Sequence, residues 1–288
     1  MWMEKRNMWM GRMWPAYAAI PLFFGVLMVA MSFFGWGASW LLSLLPPPAG
    51  EESSLLNYCI YEGSSVLAVL AASLLLFRLE GRPWSELGLS VRGHGRGWLY
   101  GFLLAAVLYG IGFGLSLVLG EVKVTGVHWQ PGRLAGAWLF FLLVALFEEI
   151  LVRGFILGRL LRSGMNRFLA LFLSASLFGL LHLFNPYVGL LPLVNLVLAG
   201  MMLGASYLYT RNLCFPVSLH LFWNWIQGPV LGYPVSGMGS MATCLQLQVP
   251  HPTALNGGAF GFEGSLLCTV LVALSTGWII YLGERGRF

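Results

Sequence analysis

This sequence predicts an all-α integral membrane protein: a bundle of about eight transmembrane helices enclosing an intramembrane polar active-site cavity. Three observations carry that expectation. Hydrophobic residues fill 58% of the 288 positions and charged ones only 9%, whereas a soluble domain carries roughly 25% charged residues; the mean hydropathy is +0.78. The apolar residues fall in long runs that match the about 20 residues a bilayer crossing needs. The basic residues sit singly or in small groups between those runs. A net charge of +5 therefore reads as membrane topology, with no nucleic-acid partner expected.

Taken in order, the chain begins with a basic tail (Lys5, Arg6, Arg12). The apolar stretch that follows, 16–45, is longer than a signal-peptide core and lacks a clear A-x-A site, so it is read as a retained first helix. Spans are expected near 16–42, 62–79, 97–119, 134–160, 167–186, 188–209, 213–231 and 263–283. The Pro46-Pro47-Pro48 run ends the first of them, because proline cannot continue a helix. Residues 81–97 read as a loop with a short interfacial helix, and 232–262, rich in Gly, Pro and Ser, as a long loop able to lie over the mouth of the bundle. This divides the chain into residues 1–96 (tail, two transmembrane helices and a loop), a core of residues 97–283, and a short tail, 284–288.

The connecting segments alternate in charge. The N-terminal tail, the loop with Arg78, Arg82, Arg92 and Arg96, the loop with Arg159, Arg162 and Arg167, then Arg211 and the tail residues Arg285 and Arg287 fall on one side. The other side receives an acidic loop with Glu51 and Glu52, a loop with only Lys123 and Arg133, and the segment 232–262 with no Lys or Arg. The positive-inside rule then makes both termini cytoplasmic, with a bacterial inner membrane as the expected setting.

Other chemistries are thinned by composition. There is no aspartate, so no mechanism built on an aspartyl pair is available. The four cysteines (Cys59, Cys214, Cys244, Cys268) show no C-x-x-C spacing, which argues against a metal knuckle or redox motif. Cys59 and Cys244 share the expected outer side, where a disulfide is allowed.

Ionisable groups inside a span cost at least ~2.5 kcal/mol at mid-bilayer and default to functional candidates. Glu148 and Glu149 are read as the only intramembrane carboxylates. They lie with Arg153 on the fourth span; His182 lies on the fifth, His220 and Asn224 on the seventh, and Glu263 at the edge of the eighth, reaching the interface. Glu149 and Arg153 are one helical turn apart and can pair. Glu148 points about 100° away, without that partner, and is the carboxylate left for chemistry. Phe178 and His182 share a face, as do His220 and Asn224. At ~1.5 Å per residue, Glu148 and His182 lie roughly 21–23 Å from their basic helix ends, and His220 and Asn224 roughly 12–18 Å, so helix tilt brings all four within reach of one cavity. Singly, each has a structural reading, as an orienting ion pair or interhelical hydrogen bond. Together, a spare carboxylate, two histidines and an amide on three helices suit water activation with oxyanion stabilisation.

These residues form three motifs in order: Glu148-Glu149-Ile-Leu-Val-Arg153 (E-E-x-x-x-R), Phe178-Gly-Leu-Leu-His182 (F-x-x-x-H) and His220-Leu-Phe-Trp-Asn224 (H-x-x-x-N). In this order, each on an apolar segment, they resemble the CPBP family of intramembrane proteases, which comprises CAAX prenyl endopeptidases and bacteriocin-processing enzymes of the Abi type. The stretch 256–264 is also similar to that family, and the resemblance covers roughly residues 97–283. It implies a peptidase site in which Glu148 and His182 activate water, His220 and Asn224 stabilise the oxyanion, and Glu149 with Arg153 braces the helix. The implied substrate is a membrane-associated peptide or protein met in the lipid bilayer. No cofactor is expected; one zinc on Glu148, His182 and His220 is the alternative, because two histidines and a glutamate form a catalytic zinc set, although H-E-x-x-H is absent. Two other readings stand beside the peptidase: a proton-coupled transporter using Glu148, His182 and His220 as a relay, and a non-catalytic membrane scaffold of the same fold.

Overall fold

The computed structural model describes residues 15–46, 51–239 and 243–287. The basic residues Lys5, Arg6 and Arg12, and Pro47 and Pro48 of the proline run, lie outside the described residues. The fold is predominantly helical. It runs α1 (Ala16–Ser43), α2 (Glu51–Leu79), α3 (Arg96–Val118), α4 (Pro131–Glu149), a π-helical segment (Ile150–Leu157) leading into α5 (Gly158–Arg162), α6 (Arg167–Leu181), α7 (Leu190–Thr210), α8 (Cys214–Trp225) with its own π-helical end (Ile226–Val230), and α9 (Leu266–Glu284). Two short strands, β1 (Lys123–Val127) and β2 (Leu245–Gln248), pair antiparallel.

Among the described residues, five helices are long and apolar enough to cross a membrane, within α1, α2, α3, α7 and α9. This is fewer than the eight runs read from hydropathy. The difference falls on the segments that carry the polar motifs: α4 holds Glu148 and Glu149 at the point where it changes to π geometry, α6 has 15 residues, and α8 has 12 before its π turn. The second span also starts earlier than expected. Glu51 and Glu52, read as loop, open α2, because the polar residues of its first turns depress hydropathy without breaking a helix.

Packing relies on small residues at close crossings. A Cβ at Gly101 would lie 2.6 Å from the Leu219 nitrogen, so α3 and α8 approach backbone to backbone. A Cβ at Gly200 would lie 2.9 Å from Ala175 Cα, which sets α7 against α6. Helix α2 packs on α1 and α4, and α9 on α7.

One ion pair lies where the sequence suggested a free basic loop. Arg159 is fully buried and grips Glu80, which follows the last residue of α2, through two bonds of 2.7 Å. Removing one partner of a buried pair strands the other charge, at about 3–5 kcal/mol. Glu80→Ala should therefore lower thermal stability markedly, and Glu80→Leu/Arg159→Met should recover most of it. Differential scanning of the purified protein checks both.

All four cysteines are free, so the Cys59–Cys244 disulfide is not formed. The long 232–262 segment does reach over the bundle: Val235, Ser236 and Met238 line its internal cavity.

Candidate active site

The three motifs meet. Helix α4 delivers both carboxylates at its C-terminal end, just before the eight-residue π-helical segment. Such i→i+5 turns occur mostly as short insertions at functional sites. Arg153, inside the π segment, donates to Glu149 Oε1 at 2.7 Å, and both side chains are wholly buried. Its other terminal nitrogen donates to the Gly200 carbonyl at 3.1 Å, and its guanidinium lies 4.6 Å from the Phe178 ring centroid. The glycine that lets α6 and α7 approach thus also supplies an acceptor to Arg153.

Glu149 has a second partner that spacing did not reveal. His220 donates from Nδ1 to the same Oε1 at 2.9 Å. A carboxylate on Nδ1 fixes the imidazole tautomer and turns Nε2 outward. His182 is held in the same sense, with Nδ1 2.8 Å from the Phe178 carbonyl. His182 lies beside Phe178, as the sequence suggested, with ring centroids 4.8 Å apart, although the helix stops just short of it. Helix α6 ends at Leu181, and His182 is its cap, at φ −98° and ψ 5°. The Phe of F-x-x-x-H therefore contributes twice, its ring to Arg153 and its carbonyl to His182.

Both Nε2 atoms face one oxygen. Glu148 Oε2 lies 3.8 Å from His220 Nε2 and 4.0 Å from His182 Nε2. That oxygen is buried and makes no hydrogen bond within the described residues. The group opens on a cavity of ≈ 460 Å³ that Asn224 also lines, and whose walls are mainly apolar, among them Phe24, Met28, Phe140, Phe147 and Leu181. All six residues singled out from sequence are thus brought together, with Glu149 and Arg153 behind the wall and Glu148, His182, His220 and Asn224 at it.

The sequence reading missed several residues here. Glu62 of α2 lines the same cavity, so Glu148 and Glu149 are not the only carboxylates among the helices. The first two helices, which carry no motif, supply Glu62, Phe24, Leu27, Met28 and Met31 to the wall. An in-span carboxylate was the available signal for Glu62. Glu263, expected to reach the interface, is buried and also lines the cavity. Four donors hold it there: Trp223 Nε1 at 3.0 Å, Gln227 Nε2 at 3.3 Å, and the Ser236 backbone nitrogen and hydroxyl at 2.7 and 2.9 Å.

As metal donors, Glu148 Oε2 and the two Nε2 atoms are of the types a catalytic zinc takes. Their separations of 3.8 and 4.0 Å exceed the roughly 3.3 Å between tetrahedral zinc ligands. Among the described residues no group of three His, Cys, Asp or Glu side chains forms a compact metal centre.

Residues 130–226 match the family model described as type II CAAX prenyl endopeptidase Rce1-like. No curated protein and no solved structure matches the chain. The matched stretch begins just before α4 and ends two residues after Asn224, so it contains all three motifs and leaves Glu62 and Glu263 outside. The order of motifs, the meeting of their side chains at one cavity and this match agree: through residues 130–226 the chain is similar to the Rce1-like type II CAAX prenyl endopeptidases.

Proposed function

We propose that this multi-pass membrane protein is an endopeptidase that hydrolyses a peptide bond in a membrane-associated protein or peptide, using water activated by Glu148 with His182. The observation that carries the reading is the convergence of Glu148 Oε2 with both histidine Nε2 atoms, within 4.0 Å, at the wall of an apolar cavity. The family description, CAAX prenyl endopeptidase, points to the same reaction class and to substrates cleaved near a C-terminus.

The chemistry follows from which groups are committed. Glu149 is neutralised by Arg153, bonded to His220 and wholly buried behind the wall, whereas Glu148 lines the cavity with an oxygen that makes no hydrogen bond within the described residues. Glu148 takes a proton from a water placed between it and His182, and the oxygen attacks the peptide carbonyl. Charge then develops on the carbonyl oxygen. Asn224 donates to it whatever the pH; His220 donates from Nε2 only as imidazolium, and Glu149 on Nδ1 is the partner that ion needs. The proton held by Glu148 passes to the leaving amine and restores the carboxylate. The apolar wall excludes bulk water and so strengthens each of these charges.

If a zinc ion is resident, Glu148, His182 and His220 are the residues that hold it, and it supplies Lewis-acid polarisation and a more acidic bound water. The basic segments on one side support a topology with both termini cytoplasmic.

The test is cleavage of membrane-anchored C-terminal peptides, with and without a prenyl group, by purified protein in nanodiscs. His182→Ala should lower kcat by about 10²–10³-fold with the protein still folded. Turnover insensitive to a chelator supports glutamate-activated water. Loss on chelation, restored by zinc, moves the assignment to a metallopeptidase. A His182→Ala protein that cleaved at the wild-type rate would sink the site.

A further inference from the structure

We infer that Glu263, outside the family-matched stretch, is a positioning residue that holds the His182 loop and the His220–Asn224 helix in register through one tight turn over the cavity. This inference rests on the peptidase reading of the site.

The turn is Val235-Ser236-Gly237-Met238. Val235 and Met238 bond to each other in both directions, at 3.0 and 2.9 Å, and the two central residues have positive φ, +49° at Ser236 and +81° at Gly237. Positive φ at both central positions is the mark of a type I′ turn and is costly for a non-glycine residue. Ser236 accepts that backbone because its N–H and hydroxyl both donate to Glu263 Oε2. Val235, Ser236 and Met238 line the cavity directly.

Two arms leave this turn. On one, the Ser236 carbonyl accepts from Asn185 Nδ2 at 3.0 Å, and the Asn185 backbone nitrogen donates to the His182 carbonyl at 3.0 Å. The fit is close, since a Cβ at Gly237 would lie 2.0 Å from the Pro186 carbonyl oxygen. On the other, Glu263 Oε1 accepts from Trp223 Nε1, and Trp223 sits on α8 between His220 and Asn224. Glu263 is itself held, its carbonyl accepting from Asn195 Nδ2 at 2.7 Å. Its two carboxylate oxygens accept from Trp223, from Gln227 and twice from Ser236. One carboxylate therefore spans the water-activating side of the cavity and the oxyanion side, without touching the reacting atoms.

A displacement of about 1 Å in a catalytic group costs on the order of 10²-fold in rate, and this sets the expected size. Glu263→Gln, which puts an amide group among donors, should lower kcat about 30–100-fold while KM changes less than about 3-fold. Asn185→Ala cuts the same link from its other end and should act in the same direction. The double variant should be little worse than the stronger single one, because residues acting through one element are not additive. The probe is a farnesylated, fluorescence-quenched C-terminal peptide in nanodiscs, with Glu148→Gln in parallel. Hydrogen exchange, which needs no substrate, should rise about 10-fold together at 183–186 and 235–238 in Glu263→Gln.

If Glu148→Gln is inactive and Glu263→Gln keeps wild-type kcat, the clamp is wrong and the site stands. If Glu148→Gln keeps turnover, the site reading itself falls. Additive losses, or exchange unchanged in both segments, also overturn the clamp. Should Glu263→Gln fail to fold, Asn185→Ala carries the kinetic and exchange tests alone.

Discussion

Glu148→Gln should abolish cleavage, with kcat lowered about 10³-fold, while the protein purifies and melts like wild type. The size follows from removing a general base, which contributes 10²–10⁴-fold. The selectivity follows from what Glu148 does in the fold. Its Oε2 makes no hydrogen bond within the described residues and faces two imidazole nitrogens across 3.8 and 4.0 Å, so glutamine removes a proton acceptor without breaking a hydrogen bond of that oxygen. Glutamine is nearly the same size and suits a partly exposed position at a cavity wall. Turnover of a membrane-anchored peptide and a thermal melt, measured on one preparation, check both halves. Wild-type turnover in this variant removes the carboxylate from the mechanism.

Arg153→Met should do the opposite, lowering stability first. Arg153 is fully buried, and its removal leaves Glu149 charged among apolar side chains with His220 as its remaining partner. Breaking a buried pair from one side costs about 3–5 kcal/mol, which corresponds to a fall in Tm of roughly 10 °C. The Gly200 carbonyl and the Phe178 ring lose their cation as well. Glu149→Gln/Arg153→Met should recover much of the stability, because no charge is then stranded. It should not recover activity, because the carboxylate that orients His220 through Nδ1 is gone. A double variant with restored Tm and restored kcat would refute the orienting role of Glu149. A single variant as stable as wild type would refute the buried pair.

These two outcomes separate adjacent residues. Glu148 and Glu149 share a backbone and a chemistry, yet the 100° between them sends one to the cavity and the other to Arg153. That division was legible from spacing, because i,i+4 contact on a helix is local geometry. What Glu149 does for His220 was not, because the two are 71 positions apart in sequence. His182 divides in the same way. Its place four residues after Phe178 predicted that the two side chains share a face, and their rings lie 4.8 Å apart; that α6 stops one residue short and the Phe178 carbonyl holds Nδ1 was not in the spacing.

Glu62, Glu80, Arg159 and Glu263 extend the lesson to charge. Read from sequence, Arg159 belonged to a basic connecting loop and Glu263 to the interface. Both are buried and paired, Arg159 with Glu80 and Glu263 with Trp223, Gln227 and Ser236. A charged residue near a helix end has two low-energy outcomes, water or a buried partner. Only the position of the partner's helix decides between them.

The sequence by itself determined the class of the protein, its helical architecture and the identity of the six motif residues. These depend on composition, on runs of apolar side chains and on contacts within one turn, all of which are local along the chain. Only the tertiary structure decided where helices give way to π turns, that α1 and α2 wall the cavity, and that the segment 232–239 folds over it under Glu263. Those features arise from side chains far apart in sequence meeting under close packing, where the cost of leaving a buried polar group unpaired selects the arrangement.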